Sequence, residues 1–336
     1  MTGTPTPQRP RQRRRRRGEE MMVPDAEFRS YYGRPVLREP TWAALDIAGY
    51  LFLGGVAGAS SVLAAGAELT NRPALAMTGK IGALVAISGS TVALVHDLGR
   101  PSRFVNMLRV FKPSSPMSVG SWILATYGPL AGLAAGTAVT SRIDRLGTLA
   151  TLSGGVGKLA TIGAGVLGPA VAAYTGVLIA DTAVPTWHAG FRELPFVFVG
   201  SAAAAGGGLG LIGTPVAQAA PARRAVLLGA ALDVVASKRM ERGMGLAAEP
   251  LHTGRAGKLL RAAEILTVGG ALVGGLLGRR SRAAAVLGGA ATLAGSACTR
   301  FGIFHAGVES ARDPKYTVVP QRERLREKQQ RESPAE

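Results

Sequence analysis

The stretch Trp42–Gly66, WAALDIAGYLFLGGVAGASSVLAAG, decides the fold. It is apolar or small almost throughout, interrupted by one charged residue, Asp46, and it meets the ~20 residues an α-helix needs to cross a bilayer core. A strand of a membrane barrel would alternate polar and apolar residues, and this run does not. Further segments of the same kind follow at Leu75–His96, Ser118–Thr140, Val156–Ala180, Glu193–Thr214, Pro221–Ala236, Lys258–Gly278 and Arg282–His305. The sixth of the set, Pro221–Ala236, is the weakest, being short and carrying Arg223, Arg224 and Asp233. The pattern predicts an all-α membrane protein, a bundle of about eight transmembrane helices with both termini on the same side.

Composition agrees with this reading. Of 336 residues, 47% are apolar and 46 are Gly, and the mean hydropathy is +0.21. Small residues suit membrane helices because lipid gives no hydrophobic push between them, so close packing supplies the attraction. Small pairs at the required spacing occur at Gly54/Gly58, Gly132/Gly136, Gly206/Gly210 and Gly270/Gly274. The formal charge of +18 suggests nucleic acid at first sight. The cations sit in tails and short loops, however, where they set topology and meet anionic lipid head groups, so membrane lipid is the expected partner and nucleic acid is not. The single cysteine, Cys298, can supply neither a disulfide nor a four-thiolate iron–sulfur site.

Three regions follow along the chain. Residues 1–40 form a Pro- and Arg-rich arm containing Arg13 to Arg17, with no apolar h-region behind it. A disordered basic cytoplasmic arm is expected there, and not a cleaved export signal. Residues 41–308 are the membrane domain, and residues 309–336 a charged, Gln-rich cytoplasmic tail. The arm, the loop with Arg100, Arg103, Arg109 and Lys112, the loop with Lys238, Arg239, Arg242 and Arg255, and the tail all fall on one side. The positive-inside rule makes that side cytoplasmic, although the opposite loops also carry some Arg, and the inner or plasma membrane is the expected location.

Ionisable groups inside or at the ends of membrane helices are expensive, which makes them functional candidates. Asp97, Asp181, Asp233 and Glu309 stand at the C-terminal ends of apolar segments, where the helix dipole disfavours a carboxylate. Local pairs, Asp97 with Arg100 or Arg103 and Asp233 with Lys238, would account for them, as would a functional role. Glu193 opens a helix, where a carboxylate suits the dipole. Asp46 lies about one turn inside the first segment, either as an interfacial cap or as a carboxyl able to exchange a proton near neutral pH. His96 and His305 lie at helix ends, a poor geometry for bis-His haem ligation. Tyr174 can hydrogen-bond a ligand carbonyl or pack in an aromatic belt. These residues predict protonatable groups gathered at one face of a bundle, without naming a ligand.

The same residues carry a family resemblance. The stretches "DIAGYLFLGGVAGAS" from Asp46, "HDLGRPSRFVNMLRVFKPSSPMSVGSW" from His96, "YTGVLIADTAVPTWH" from Tyr174, "FRELPFVFVGSA" and the tail "SARDPKYTVVPQRE" resemble the NrfD/polysulphide-reductase membrane-subunit family. The resemblance implies an eight-helix, haem-free subunit without its own iron–sulfur cluster. It implies electron exchange between membrane quinone, expected to be menaquinone, and a ferredoxin-like iron–sulfur subunit bound to a molybdopterin catalytic subunit. It further implies quinone-binding and proton-transfer roles for Asp46, His96, Asp97, Arg100 and Tyr174, and for Asp181 beside them. The loop with Arg100, Arg103, Arg109 and Lys112 is the expected docking face for the iron–sulfur subunit. The long Arg-rich arm departs from many family members.

Overall fold

The structure, a computed structural model, describes residues 36–100, 102–142 and 147–332. The basic arm up to residue 35, and Arg145, lie outside the described residues. Regular structure among the described residues is helical throughout: α1 (Ala44–Leu69), α2 (Pro73–Asp97), α3 (Ser102–Met107), α4 (Pro116–Thr140), α5 (Gly147–Ala180), α6 (Pro185–Ala189), α7 (Leu194–Gly213), α8 (Ala220–Gly243), α9 (Glu249–His252), α10 (Gly254–Leu276), α11 (Arg282–Arg312) and α12 (Lys315–Glu332). Each predicted apolar segment coincides with one long helix. Local signals start several of them: Pro occupies the first turn of α2, α4, α7 and α8, where its missing N–H is not needed. Ser115 and Ser281 cap α4 and α11 by accepting from Ser118 N and Ala284 N.

Six of the long helices, α1, α2, α4, α5, α7 and α10, are long and apolar enough to cross a membrane. The chain is an all-α integral membrane protein. The two other long helices, α8 and α11, carry internal charges, Asp233 and Arg300. Even so, α8 turns Leu228 and Val235 outward at 71% and 66% exposure, and α11 turns Leu287 outward at 67%. Both helices thus pack into the bundle with an apolar face turned outward.

Small residues set the closest approaches. Gly58 of α1 and Gly168 of α5 meet backbone to backbone. A methyl added at Gly206 would lie 2.6 Å from Ala59 Cβ, and one at Gly270 would lie 2.8 Å from Gly288 O. Gly132 and Gly136, by contrast, face open space, so that predicted pair is not a contact.

The bundle brings the cation-rich loops to one end. There Trp42 stacks on Trp187 with centroids 5.8 Å apart, Thr186 Oγ1 donates to Ala247 O, and Arg239 pairs with Glu193 at 3.5 Å. Arg312 also pairs there with Glu39 through Nε at 3.0 Å, and its guanidinium holds the Glu39 carboxyl below the usual carboxylate range. The residues after Glu309 differ from a plain tail: α11 runs on to Arg312, and α12 follows, joined to α9 by the Lys315–Glu249 ion pair at 2.8 Å.

Cysteines introduced at Ser114 and Thr253, both exposed at this end, are expected to react with an impermeant thiol reagent from the cytoplasmic side only. Reaction from outside in intact cells would reverse the orientation. Ala256, in the first turn of α10, is fully buried and unsuited to the test.

Candidate functional site at the ends of the first helices

The motif from His96 to Arg100 ends α2 by a left-handed turn. Gly99 has φ +67°, and its N–H donates to His96 O at 3.1 Å, the arrangement for which glycine is the least strained residue. This stop fixes His96 and Asp97 beside the start of α1. Asp97 Oδ1 accepts from Ala43 N at 3.2 Å, and Asp46 Oδ2 lies 2.8 Å from His96 Nδ1. Neither Arg100 nor Arg103 forms the expected local pair with Asp97; Arg103 donates instead to Leu98 O. The carboxylate that opposes the dipole of its own helix is therefore answered by the N-terminal end of the neighbouring one.

One turn deeper on α1, at about 6 Å of helix rise from Asp46, stands Tyr50, which is 2% exposed. Its hydroxyl meets that of Tyr174 on α5, and the rings sit edge to face at 6.4 Å. Ser90 of α2 donates to Tyr50 O at 3.0 Å. The Tyr174 ring lies on Gly120 of α4, where an added Cβ would come 2.5 Å and 2.6 Å from two ring carbons. Deeper again, Tyr127 Oη joins Ser61 Oγ and Ala57 O, each at 2.7 Å. The site is thus a ladder of hydroxyl, carboxylate and imidazole groups shared by α1, α2, α4 and α5, opening at the His96 end, where that side chain is 77% exposed.

The stretch from Lys112 to Trp122 builds the adjoining surface. Ser118 Oγ donates to Val110 O at 2.9 Å and accepts from Lys112 N at 3.0 Å, tying the loop to α4. Phe111 packs edge-on to Trp122 at 6.2 Å. Arg100, Arg103, Arg109 and Lys112 are all exposed, interleaved with Val105, Val110 and Phe111, each at least 60% exposed. A groove of about 220 Å³, lined by Asn106, Met107, Val110 and Ser121 among others, opens along this side of α4.

Asp46, His96, Asp97 and Tyr174 are therefore brought together by the first helices, whereas Asp181 is exposed at the end of α5 and joins none of their bonds. His305 lies elsewhere, in a cleft of about 590 Å³ with Trp42, Arg255 and Arg312. Among the described residues, no group of three or more His, Cys, Asp or Glu side chains is arranged to hold a metal ion. Sequence reasoning missed Tyr50 and Arg300. Tyr50 follows Asp46 by four residues, which is one face of a helix, and Arg300 interrupts an apolar segment, the same signal that singled out the carboxylates.

A family model described as polysulphide reductase, NrfD, matches residues 36–235, more than half of the chain. No curated protein matches it.

Proposed function

The chain belongs to the polysulphide reductase NrfD family, and we propose that it is the quinone-facing membrane subunit of an oxidoreductase complex, passing electrons between membrane quinone and an iron–sulfur partner. The observation that carries this reading is the Tyr50–Tyr174 hydroxyl pair lying one turn below the Asp46–His96 pair at a helix-bundle end. Quinone reduction takes up two electrons and two protons. The hydroxyl of Tyr174 suits a quinone carbonyl as a hydrogen-bond donor, with the ring held in place by Gly120. Asp46 and His96, joined at 2.8 Å with the imidazole reaching solvent, form a hydrogen-bonded link along which a proton can pass between this interior and the exposed face. The residues therefore fit a quinone head group, while its isoprenoid tail lies among apolar helices or in lipid. The electrons come from or go to clusters on another subunit, because Cys298 alone cannot hold one.

In this reading eight helices cross the inner or plasma membrane, with both termini cytoplasmic. The ferredoxin-like iron–sulfur subunit docks on Arg100, Arg103, Arg109 and Lys112, and a molybdopterin subunit binds beyond it. The surface supports this by mixing cations with exposed Val105, Val110 and Phe111, a combination that gives both steering and buried apolar contact. Arg103→Glu with Arg109→Glu is expected to lower co-purification of the iron–sulfur subunit by about tenfold or more, with the loss growing as salt is reduced. Unchanged co-purification at every salt concentration would move the docking face elsewhere.

The function is tested by quinone-linked turnover in membranes holding normal amounts of assembled complex. A purely anchoring subunit would tolerate Asp46→Asn and Tyr174→Phe at the parental rate and half-saturation, and a quinone-binding one would not.

A further inference from the structure

The other half of the bundle holds a second set of charged groups that quinone binding does not use. Asp233, on α8, is 6% exposed, and Arg300, on α11, is 0% exposed. At Asp233 the backbones of α7 and α8 touch: a Cβ at Gly200 would lie 2.5 Å from Asp233 N. Arg300 donates to Phe198 O at 2.8 Å, with its guanidinium 3.8 Å from the Phe198 ring centroid. Gly55 of α1 leaves room for it, an added Cβ there lying 3.3 Å from Nη2. The Nε and Nη1 of Arg300 have no hydrogen-bond partner. Asp233 and Arg300 are not in salt-bridge contact, and the nearest donor to the Asp233 carboxyl is Ser237 Oγ, at 3.5 Å from Oδ1.

Between α8, α10 and α11 lies a cavity of about 50 Å³ whose wall includes Asp233, Thr267 and Thr299. Thr267 is 1% exposed, and its hydroxyl has no partner. At roughly 10–15 Å³ for each water, this volume admits a few water molecules among polar groups. The wall also includes Lys238 and Glu264, themselves paired at 3.3 Å and both about half exposed. Lys238 lies 3.8 Å from Glu241, and Glu241 lies 3.9 Å from the exposed His252. Titratable groups thus run from the loop after α8 down to a buried carboxyl.

We propose that Asp233 is a proton-binding site inside the bundle, reached by water through this cavity from the end that carries Lys238 and His252, and that it forms the inner terminus of a proton half-path. A hydronium ion in the cavity gives its proton to the Asp233 carboxylate, leaving water and the neutral acid, and the reverse step returns it. Arg300 keeps its charge in both states. The cavity brings water to the carboxyl, and the Arg300 guanidinium, held to Phe198 O, leaves that carboxyl without a direct ion-pair partner. The groups facing Asp233 are Ser237, Lys238 and Glu241 on its own helix, Glu264 and Thr267 on α10, and Thr299 and Arg300 on α11. Helix α7 contributes no titratable side chain. A purely structural ion pair would be expected to close into direct contact with its hydrogen bonds filled, and this one leaves a cavity and unpartnered donors instead. None of Asp46, His96, Tyr50 or Tyr174 takes part; Asp233 lies within the residues the family model matches and Glu264, Thr267 and Arg300 lie beyond them, so the site shares no residue with the quinone reading.

The test is infrared difference spectroscopy of the purified full chain in lipid nanodiscs, recorded across a pH series. A carboxylic-acid C=O band that shifts in D2O is expected in the parental protein and in Glu264→Gln, and is lost in Asp233→Asn. Asp233→Glu, which keeps a carboxyl should the Asn variant fail to accumulate, retains a band at a changed frequency. A pH-dependent band identical in the parental chain and the Asp233 variants overturns the proposal, as does the absence of any such band in the parental chain. Access is read separately with Thr267→Cys in a Cys298→Ala background in oriented vesicles. Modification by a small impermeant thiol reagent is expected from the His252 side only. Modification from the opposite side, or from neither side in protein of parental helicity, also overturns it.

Discussion

Tyr174→Phe is expected to cut quinone turnover by several-fold to about a hundred-fold while the complex assembles normally. The variant keeps the ring that packs on Gly120 and removes only the hydroxyl that meets Tyr50. Loss of one hydrogen bond in a buried setting costs about 0.5–3 kcal/mol, depending on charge and burial, and each 1.4 kcal/mol is about tenfold in affinity. The measurement is initial rate against quinol or quinone concentration in membranes, normalised to assembled complex. Asp46→Asn should lower the maximal rate more than half-saturation, because it removes a proton-exchanging group without touching the hydroxyl pair. Parental kinetics in both variants would put the head group elsewhere and leave Asp46 as a helix-end partner of His96.

Gly120→Ala is the second large effect expected. Its methyl would lie 2.5–2.6 Å from the Tyr174 ring carbons, closer than a methyl and a ring can approach, and the ring is 7% exposed, with little room to retreat. Overpacking of this kind costs about 1–3 kcal/mol, and a displacement on the order of 1 Å at a reacting centre can cost about a hundredfold in rate. A lower Tm in detergent and reduced quinone turnover are expected together. Tyr174→Phe should not relieve the clash, because the ring carbons remain, whereas Tyr174→Leu should recover most of the lost Tm. That rescue is the non-additivity expected of residues in direct contact. If Gly120→Ala alone leaves Tm unchanged, the ring does not rest on Gly120.

The same motif shows how far the sequence could be read. "PMSVGSW" is conspicuous as a string, but its residues serve separate contacts: Ser118 ties the loop to α4, Gly120 seats the Tyr174 ring, and Trp122 meets Phe111. Two of these partners lie on the preceding loop and one on α5, and nothing local in the string identifies any of them. Asp97 gives the same lesson. Its position at a helix C-terminus made it suspect, and the nearby Arg100 and Arg103 were the obvious partners by spacing; the N–H it binds belongs to Ala43, on the far side of a helical hairpin.

By itself the sequence determined the helical membrane class and the positions of the long helices, because apolar run length and Pro or Ser punctuation are local quantities that the bilayer and the backbone read directly. It also determined which end gathers the cations, since alternating helices carry successive loops to alternate ends. Only the tertiary structure decided which ionisable groups meet. It joined Asp46 to His96 and Tyr50 to Tyr174, left Asp181 apart, and buried Arg300 between α1 and α7. Those pairings depend on how helices rotate and approach about their small residues, and rotation about a helix axis is set by packing against neighbours far away in the chain.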